Sequence, residues 1–280
     1  YDGLEARGQN AWPSVRFDLG AVNNLLSRFL AAGFYYKTFM GIPPLEWGSG
    51  TGMWMRYERL IRRAAGMGEA SRLPDPDHYE HAHAFCDVLV VGAGPAGIAA
   101  AGAAAESGLD VVLVEQDNLL GGAQLSTPCG GSESIPSVQE LESSGVRVMT
   151  RTTAFGLYDY NVAGLVERVT DHLPDPPGYL PRQRFWTLRT KYTIVAAGAI
   201  ERHIAFGNND RPGVMTAAAA RTHLNRFAVL PGENIIIATN NDSAYEGAVE
   251  LSSAGAKVTL LDARSAISDE HMQQLTERNI

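Results

Sequence analysis

The sequence has few cysteines, no excess of positive charge and no long hydrophobic run. Its two cysteines, Cys86 and Cys129, cannot form a four-cysteine iron–sulfur cluster or a CxxC redox motif. A net charge of −8 argues against nucleic acid or an anionic membrane as a partner. No apolar run approaches the roughly 18 residues that span a bilayer, and no signal peptide is recognisable. We therefore expect a cytoplasmic protein with no membrane partner.

The size and composition are those of a globular protein with sizeable cores. The chain has 280 residues, of which 45% are hydrophobic and 19% are charged. It lacks an initiator methionine and stops soon after a second nucleotide-type unit begins. We therefore expect it to be a piece of a longer polypeptide.

One stretch carries a recognisable motif. The apolar run Val88 to Val91 is followed by Gly92-Ala93-Gly94-Pro95-Ala96-Gly97, an alanine-rich helical run, a second apolar run from Val111 to Val114, and Glu115. This order of strand, glycine turn, helix, strand and acidic residue is typical of a dinucleotide-binding βαβ unit.

Each residue type in the motif has a physical role. Gly92 allows a sharp turn, Gly94 lets the backbone approach a pyrophosphate, and Gly97 lets the helix pack close to the sheet. The helix N-terminus then faces the phosphates with free N–H groups. Glu115 is placed to accept hydrogen bonds from a ribose. Because the following Gln116 and Asp117 supply no cation for a 2′-phosphate, the motif favours FAD or NAD over NADP.

The rest of this domain is predicted to be rich in strands. Residues 145–150 and 153–159 are predicted strands. The runs 162–169, 185–189 and 192–196 indicate a β-meander interrupted by a proline-rich segment. A small-residue turn follows at Val195 to Ala199, where the backbone comes close to a dinucleotide or to a neighbouring strand.

A second βαβ unit repeats the spacing of the first. Asn234 to Ala238 and Lys257 to Leu261 are its predicted strands, a helix lies between them, and Asp262 mirrors Glu115. The glycine positions are instead Ala238, Asn240 and Ser243, and an asparagine at the second position would crowd a pyrophosphate. We predict that this unit keeps the fold but has weakened or lost nucleotide binding.

The first 84 residues lack alternating strands. Ala21 to Phe34 and Trp54 to Ala65 have helical periodicity, and residues 66–76 form a linker. His78, His81 and His83 match no common zinc pattern, so we interpret them as part of a solvated linker and predict no metal site.

The predicted fold class is α/β. It consists of Rossmann-type βαβ units with a β-meander, as in flavoproteins with two dinucleotide-binding domains, preceded by a mostly helical or irregular arm. The predicted divisions are an arm and linker over 1–84, a first dinucleotide-binding domain over 85–205, and a connecting helix with the start of a degenerate second domain over 206–280.

Within that group the chain resembles the alpha subunits of heterotetrameric sarcosine oxidases. Besides the Gly92 motif, the resemblance rests on these segments: Gln9 to Ser14, Ala32 to Met40, Ile61 to Gly66, Asn208 to Met215, and Thr239 to Tyr245. The second, fourth and fifth of these segments are the most particular to that family.

The resemblance implies a complex that oxidatively demethylates sarcosine to glycine. In such complexes the beta subunit binds sarcosine and the FAD that oxidises it, an FMN lies between alpha and beta, and the alpha subunit holds a noncovalent NAD; gamma and delta subunits complete the assembly. The folate-binding domain of such alpha subunits is absent from this sequence.

The site residues that the resemblance and the fold imply are cofactor-binding ones. They are Gly92, Ala93, Gly94, Pro95, Ala96, Gly97 and Glu115, with Gln116, Gly122, Ala123, Thr153, Ala154, Ala197 and Gly198 as weaker candidates. No residue is assigned to bond cleavage, which is consistent with chemistry carried by cofactors on partner subunits.

Alternative functions remain open at this point. The chain could belong to an FAD-dependent NADH oxidoreductase, although such an enzyme normally keeps glycines in its second unit. It could also be the alpha subunit of a related amine, opine or amino-acid dehydrogenase complex, or a scaffold whose bound nucleotide never turns over. For the bound nucleotide, FAD is the alternative to NAD.

Overall fold

The computed structural model divides the chain into two compact units, Tyr1–Asp75 and Pro76–Ile280. The residues that it describes are 13–14, 16–26, 62, 74–75, 77–128, 135–207, 209, 211, 213–265 and 268–280.

The first unit is described over a short stretch. Strands β1 (Pro13–Ser14) and β2 (Phe17–Asp18) pair antiparallel, and a 3-10 helix follows over Leu19–Leu26. The helix predicted over residues 21–34 is thus 3-10 where it is described, and its remainder lies outside the described residues. The helix predicted over 54–65 also lies outside them, apart from Arg62.

A six-stranded sheet organises the second unit, with strand order β5-β4-β3-β8-β7-β6. Its strands are β3 (Tyr79–Val91), β4 (Val111–Val114), β5 (Val146–Met149), β6 (Thr152–Tyr158), β7 (Val162–Arg168) and β8 (Gln183–Val195). The neighbours β5-β4-β3-β8 run parallel, and β8-β7-β6 run antiparallel. The predicted βαβ unit and the predicted meander are therefore two halves of one sheet.

Both faces of the sheet are covered at β4 and at the adjoining part of β3. Helix α1 (Pro95–Glu106) and helix α2 (Val138–Ser143) cover one face, where Val90 and Leu113 pack with Ala101. On the other face, Leu89 and Val112 pack with residues of the meander. All four residues of β4 are buried, as expected for a short apolar run in a parallel sheet.

Strand β3 begins earlier than the sequence indicates. Residues 79–84, interpreted as part of a linker, pair with β8 over their whole length, so the linker interpretation is wrong there. His81 and His83 are exposed, but they stand on a strand. The other predicted domain boundaries stay predictions.

Strand β8 is continuous, whereas the sequence indicates two separate runs, 185–189 and 192–196. The polar residues between them obscure the strand in the sequence. In the fold, Lys191 pairs with Asp87 of β3 at 2.7 Å, and the buried Thr190 hydroxyl donates to the Tyr192 carbonyl at 2.7 Å. Both polar side chains are thus satisfied inside one strand.

The predicted internal repeat is confirmed as a fold element. Helix α3 (Ala217–Phe227) leads into β9 (Asn234–Thr239), α4 (Ser243–Ser253) and β10 (Lys257–Asp262), and α5 (Asp269–Glu277) follows. Strands β9 and β10 pair parallel, and α4 packs on them through Ala248 and Leu251. Over the described residues, no helix is both long and apolar enough to cross a membrane.

Candidate functional site

The glycine loop between β3 and α1 is tightly folded. Gly92 has φ +100°, and a Cβ atom there would lie 2.5 Å from the Ala196 carbonyl oxygen. A Cβ atom on Gly97 would overlap the Gly92 carbonyl oxygen. Both positions therefore require glycine, for the turn and for close helix packing respectively.

Gly94 borders open space at the N-terminus of α1. An added Cβ atom there meets nothing closer than the Gly122 Cα at 4.0 Å. The helix begins with Pro95 and has neither a side-chain cap nor an acidic residue in its first turn. This leaves a side-chain-free surface with a partial positive charge, which suits an anion such as a pyrophosphate.

A second glycine turn faces the first. The Gly121 N–H donates to the Ala93 carbonyl at 2.8 Å, and a Cβ on Gly122 would lie 3.0 Å from the Gly94 Cα. Gly122 also begins a short 3-10 helix, Gly122–Ser126. The two backbone segments thus pack directly against each other and together form a surface without side chains beside the N-terminus of α1.

Glu115 lies directly beside the glycine loop. Its carboxylate is 8% exposed and accepts the Ala93 N–H at 2.7 Å and the Asp117 N–H at 2.9 Å. A carboxylate has about four acceptor positions, so two backbone donors leave capacity for ribose hydroxyls. The acid is therefore tied to the loop at one end and to residue 117 at the other.

An open cavity of about 540 Å³ lies beside the residues that follow Glu115. Its lining residues are Gln116, Asp117, Asn118, Arg151, Thr153 and Arg168. Strand β6 reaches it because the Thr152 N–H donates to the Glu115 carbonyl at 2.8 Å and the Arg151 N–H donates to the Asp117 carbonyl at 2.8 Å. All six lining residues have polar or charged side chains.

The charges in this cavity come from three separate parts of the chain. Arg226 of α3 forms a bidentate pair with Asp117, with N···O distances of 2.6 and 2.9 Å. The Arg226 guanidinium lowers the pKa of the Asp117 carboxyl, and the carboxylate raises the pKa of Arg226. Arg168 donates to the Gln116 carbonyl. The remaining charge of the cavity is therefore positive, from Arg151 and Arg168.

The predicted site residues fall into groups. The Gly92 to Gly97 loop, Glu115 and Gly122 are brought together as described. Ala197 is next to the loop, since a Cβ on Gly92 would lie 3.2 Å from its Cα. Gln116 and Thr153 line the cavity, whereas the Ala154 side chain packs against the core beneath the sheet. Ala123 and Gly198 are exposed, without a contact that ties them to the loop.

The sequence analysis missed Arg151, Arg168 and Arg226. Gln116 and Asp117 supply no cation themselves, but Arg151 approaches from the turn before β6, Arg168 from β7 and Arg226 from α3. Arg226 is 109 residues from Asp117, so no local spacing connects them. The sequence offers one signal for these arginines, which is that the basic Arg151 lies two residues before the predicted strand over residues 153–159.

The second βαβ unit, from β9 to β10, is filled by its own side chains at the positions where the first βαβ unit, from β3 to β4, is open. Asp262, the counterpart of Glu115, has a side chain that is only 1% exposed. It accepts from the Tyr245 hydroxyl at 2.7 Å and from Arg264 Nη2 at 2.7 Å. The His271 ring stacks on Tyr245 with a centroid separation of 4.4 Å.

The turn between β9 and α4 in the second βαβ unit is likewise closed by hydrogen bonds within the chain. The Asn241 side-chain oxygen accepts the Ser243 N–H at 3.0 Å and the Ser243 hydroxyl at 2.6 Å. The Thr239 hydroxyl oxygen accepts the Asn241 N–H at 3.2 Å. Backbone amides that could face a phosphate in such a turn are thus bound to the chain itself.

Comparison with known proteins places residues 86–279 in a family model described as pyridine nucleotide-disulphide oxidoreductase. The sarcosine oxidase subunit alpha of Rhizobium meliloti (strain 1021) is 49% identical over 275 residues, covering 95% of this chain and 27% of that protein. The same subunit of Corynebacterium sp. (strain U-96) is 40% identical over 222 residues, covering 76% of this chain and 23% of its own length. This chain therefore spans about a quarter of these relatives.

Among solved structures, the L-proline dehydrogenase of P. horikoshii is similar. It superposes with a TM-score of 0.51 at 25% identity, covering 68% of this chain and 38% of that chain.

Proposed function

The chain belongs to the pyridine nucleotide-disulphide oxidoreductase family, and from this premise we propose that it is the dinucleotide-binding part of a sarcosine oxidase alpha subunit. The observation that carries the proposal is the side-chain-free backbone surface that Gly94 and Gly122 form at the N-terminus of α1, next to Glu115. The 49% identity to such a subunit supports the enzyme class.

The proposed ligand is a noncovalent NAD, with FAD as the alternative. The pyrophosphate lies against the backbone at Gly94 and Gly122, and the N-terminus of α1 offsets its charge. Glu115 accepts the ribose hydroxyls with its remaining acceptor positions. The adenine enters the cavity beside Gln116 and Thr153. The chain's own residues thus bind and orient the nucleotide.

The proposed reaction is the oxidative demethylation of sarcosine to glycine by a complex with beta, gamma and delta subunits. Flavins, an FAD and an FMN on or shared with partner subunits, supply the amine oxidation when they are bound. We assign no catalytic residue to this chain. Its contribution is the fixed nucleotide and the surface that holds it, in a cytoplasmic complex.

Cofactor analysis tests the proposal. The purified protein is denatured with acid, and the released nucleotide is identified by chromatography and absorbance. We expect NAD without flavin in the chain separated from its partners. A yellow chain that releases FAD contradicts the NAD assignment and favours a reductase, and a chain that releases no nucleotide contradicts dinucleotide binding.

Two glycine variants distinguish a nucleotide that is needed for activity from one that only orders the fold. Gly94→Val places a side chain into the proposed pyrophosphate space. Gly178→Val adds the same side chain at a glycine whose Cβ meets nothing within 4 Å. We expect the first variant, rebuilt into the complex, to lose sarcosine oxidase activity and the second to keep it. If the Gly94→Val complex has no nucleotide but full activity, the nucleotide serves only to order the fold.

A second candidate function is a related amine or amino-acid dehydrogenase complex. The observation that favours it is the likeness to an L-proline dehydrogenase at a TM-score of 0.51. Assay of the intact complex with sarcosine, L-proline and an opine distinguishes the two. Turnover of L-proline or the opine without turnover of sarcosine supports the second candidate.

A further inference from the structure

Helix α3 carries a row of side chains that reaches both sides of the proposed nucleotide site. Thr222, Asn225 and Arg226 stand three and four residues apart and so lie on one face of the helix. Arg226 binds Asp117 on the ribose side of the site, while Thr222 and Asn225 bind Ser126 on the pyrophosphate side. One helix thus contacts both ends of the segment from Asp117 to Ser126, which connects β4 to α2.

On the pyrophosphate side, Ser126 is the last residue of the 3-10 helix that begins at Gly122. Its carbonyl accepts the Asn225 side-chain N–H at 2.9 Å, and its hydroxyl lies 2.9 Å from the Thr222 hydroxyl. Because the Thr222 hydroxyl already donates to the Ala218 carbonyl, the Ser126 hydroxyl is the donor between them. These bonds fix the end of the turn that faces Gly94.

On the ribose side, the contacts form a chain from Arg226 to Glu115. The guanidinium binds both oxygens of Asp117, and the Asp117 N–H donates to Glu115 at 2.9 Å. The Arg226 and Asp117 side chains are 23% and 29% exposed, so water screens the pair only in part. The orientation of Glu115 therefore depends on Arg226 through one intervening residue.

The same helix is anchored to the second βαβ unit on its adjacent face. Arg221 binds Glu250 of α4 at 2.6 and 2.9 Å, and the Asn225 side-chain nitrogen donates to Glu250 at 2.8 Å as well as to Ser126. Asn225 uses one amide hydrogen for each unit. Helix α3 is therefore bound to the second βαβ unit as well as to Ser126.

We propose that α3 is a clamp on the nucleotide site and that Arg226 is a positioning residue, which holds Asp117 so that Glu115 faces the ribose hydroxyls. This inference rests on the proposed nucleotide binding.

The test measures binding of ADP and of 2′,3′-dideoxy-ADP to the full protein by calorimetry. ADP carries the ribose hydroxyls that Glu115 is proposed to accept, and the dideoxy compound lacks them. We expect Arg226→Met to weaken ADP binding about tenfold and dideoxy-ADP binding less than twofold, since the lost orientation matters only when hydroxyls are present. Arg226→Lys restores part of the ADP affinity. Asp117→Asn reproduces the effect, and adding Arg226→Met to it has little further effect.

Arg221→Met is the matched control. It removes the same charge from the same helix, and Arg221 is similarly shielded at 18% exposure, but its partner is Glu250. We expect a lower unfolding temperature and an ADP affinity within twofold of the parent protein.

Distinct results overturn distinct parts. A parent protein that binds neither ADP nor NAD overturns the proposed function and the clamp with it. A parent that binds ADP, with Arg226→Met and Asp117→Asn weakening ADP and dideoxy-ADP equally or not at all, overturns only the positioning role. If Arg221→Met weakens ADP as much as Arg226→Met, the docking of the whole helix matters and the Asp117 pair does not.

Discussion

The two βαβ units of this chain have the same fold but differ at the turn between the first strand and the helix. The first unit has polar groups that stay available there, whereas those of the second unit are paired within the chain. In the first unit, glycines leave a space at the N-terminus of α1, and Glu115 keeps unused acceptor capacity. In the second unit, Asn241 binds the first amide of α4, and Asp262 is covered by Tyr245 and Arg264. The two units place their acids equivalently, at the end of the second strand.

The difference teaches that a βαβ unit binds a nucleotide only where its polar groups are left available. Hydrogen-bonding groups that are already paired within the chain offer a ligand nothing without first breaking those pairs. We predict that the second βαβ unit has lost nucleotide binding because the groups that would bind a ligand are already paired within the chain. The following variants test this contrast.

The largest expected effect comes from closing the first unit. Gly97→Ala places a methyl group against the Gly92 carbonyl oxygen, so the helix must move away from the loop. We expect nucleotide affinity to fall by about a hundredfold, as measured by titration. The control is Gly102→Ala in the same helix, where the added Cβ meets nothing within 4 Å. It should keep full affinity and gain up to about 1 kcal/mol of stability. Equal affinities for the two variants contradict the role of the close packing.

Exchanging the acids compares the units directly. Glu115→Gln replaces one of the two oxygens that accept the Ala93 and Asp117 amides, and we expect about a tenfold loss of nucleotide affinity. Asp262→Asn breaks the pairing with Arg264 and Tyr245, and we expect a lower unfolding temperature with unchanged affinity. The measurements are nucleotide titration and thermal unfolding of both variants. Two tight sites in the parent, or an affinity change in Asp262→Asn, contradict the contrast.

Removing one hydroxyl from the second unit has a smaller effect. Tyr245→Phe removes the donor to Asp262 from a side chain that is 2% exposed. We expect a loss of about 1 kcal/mol in the free energy of unfolding, measured by urea denaturation. Tyr179→Phe is the control, since Tyr179 is 80% exposed. Nucleotide affinity stays unchanged in both variants; a loss of affinity in Tyr245→Phe alone means that the second unit takes part in binding.

The smallest expected effect is a dependence on pH. Hydrogen bonds from Arg264, its backbone amide and Tyr245 hold the pKa of the Asp262 carboxyl well below its usual range. A lowered carboxyl pKa stabilises the fold above the unfolded-state value of about 3.9, and this stabilisation is lost as the pH falls below that value. Urea unfolding should therefore show a gap between the parent and Asp262→Asn that is widest near neutral pH and narrows below about pH 4. A gap that is constant over this range contradicts the assignment.

Much of the fold was predictable because its signals are local. The apolar runs 88–91 and 111–114, the glycines between them and Glu115 lie within one continuous stretch, and the structure has a strand, turn, helix and strand there. The repeat at residues 234–262 was found by its equal spacing. Residues 79–84 and the join at 189–192 were misassigned, because their polar side chains point to solvent or to partners on neighbouring strands.

The candidate site was predictable only in part. The glycine loop and Glu115 follow from spacing, whereas Arg151, Arg168 and Arg226 come from elements that only the sheet order brings to Gln116 and Asp117. Local spacing carries no information about a pair that is 109 residues apart. The covering of Asp262 by Tyr245 and Arg264 was missed for a related reason, since the sequence shows the acid and gives no sign that it is already paired.

The sequence by itself determined which segments form βαβ units and which of their turns contain glycines. Turn geometry and strand burial depend on neighbouring residues, so both leave local patterns in the sequence. The sequence also indicates which unit has lost its glycines, whereas only the tertiary structure shows which side chains fill the second βαβ unit and which groups stay available in the first. That outcome depends on which strands are neighbours and on where the long side chains reach. It also depends on whether the carboxylate is already paired with an arginine of the chain and so is not available to a ligand. In this chain Asp262 pairs with Arg264, while Glu115 accepts hydrogen bonds from two backbone amides and can accept further hydrogen bonds.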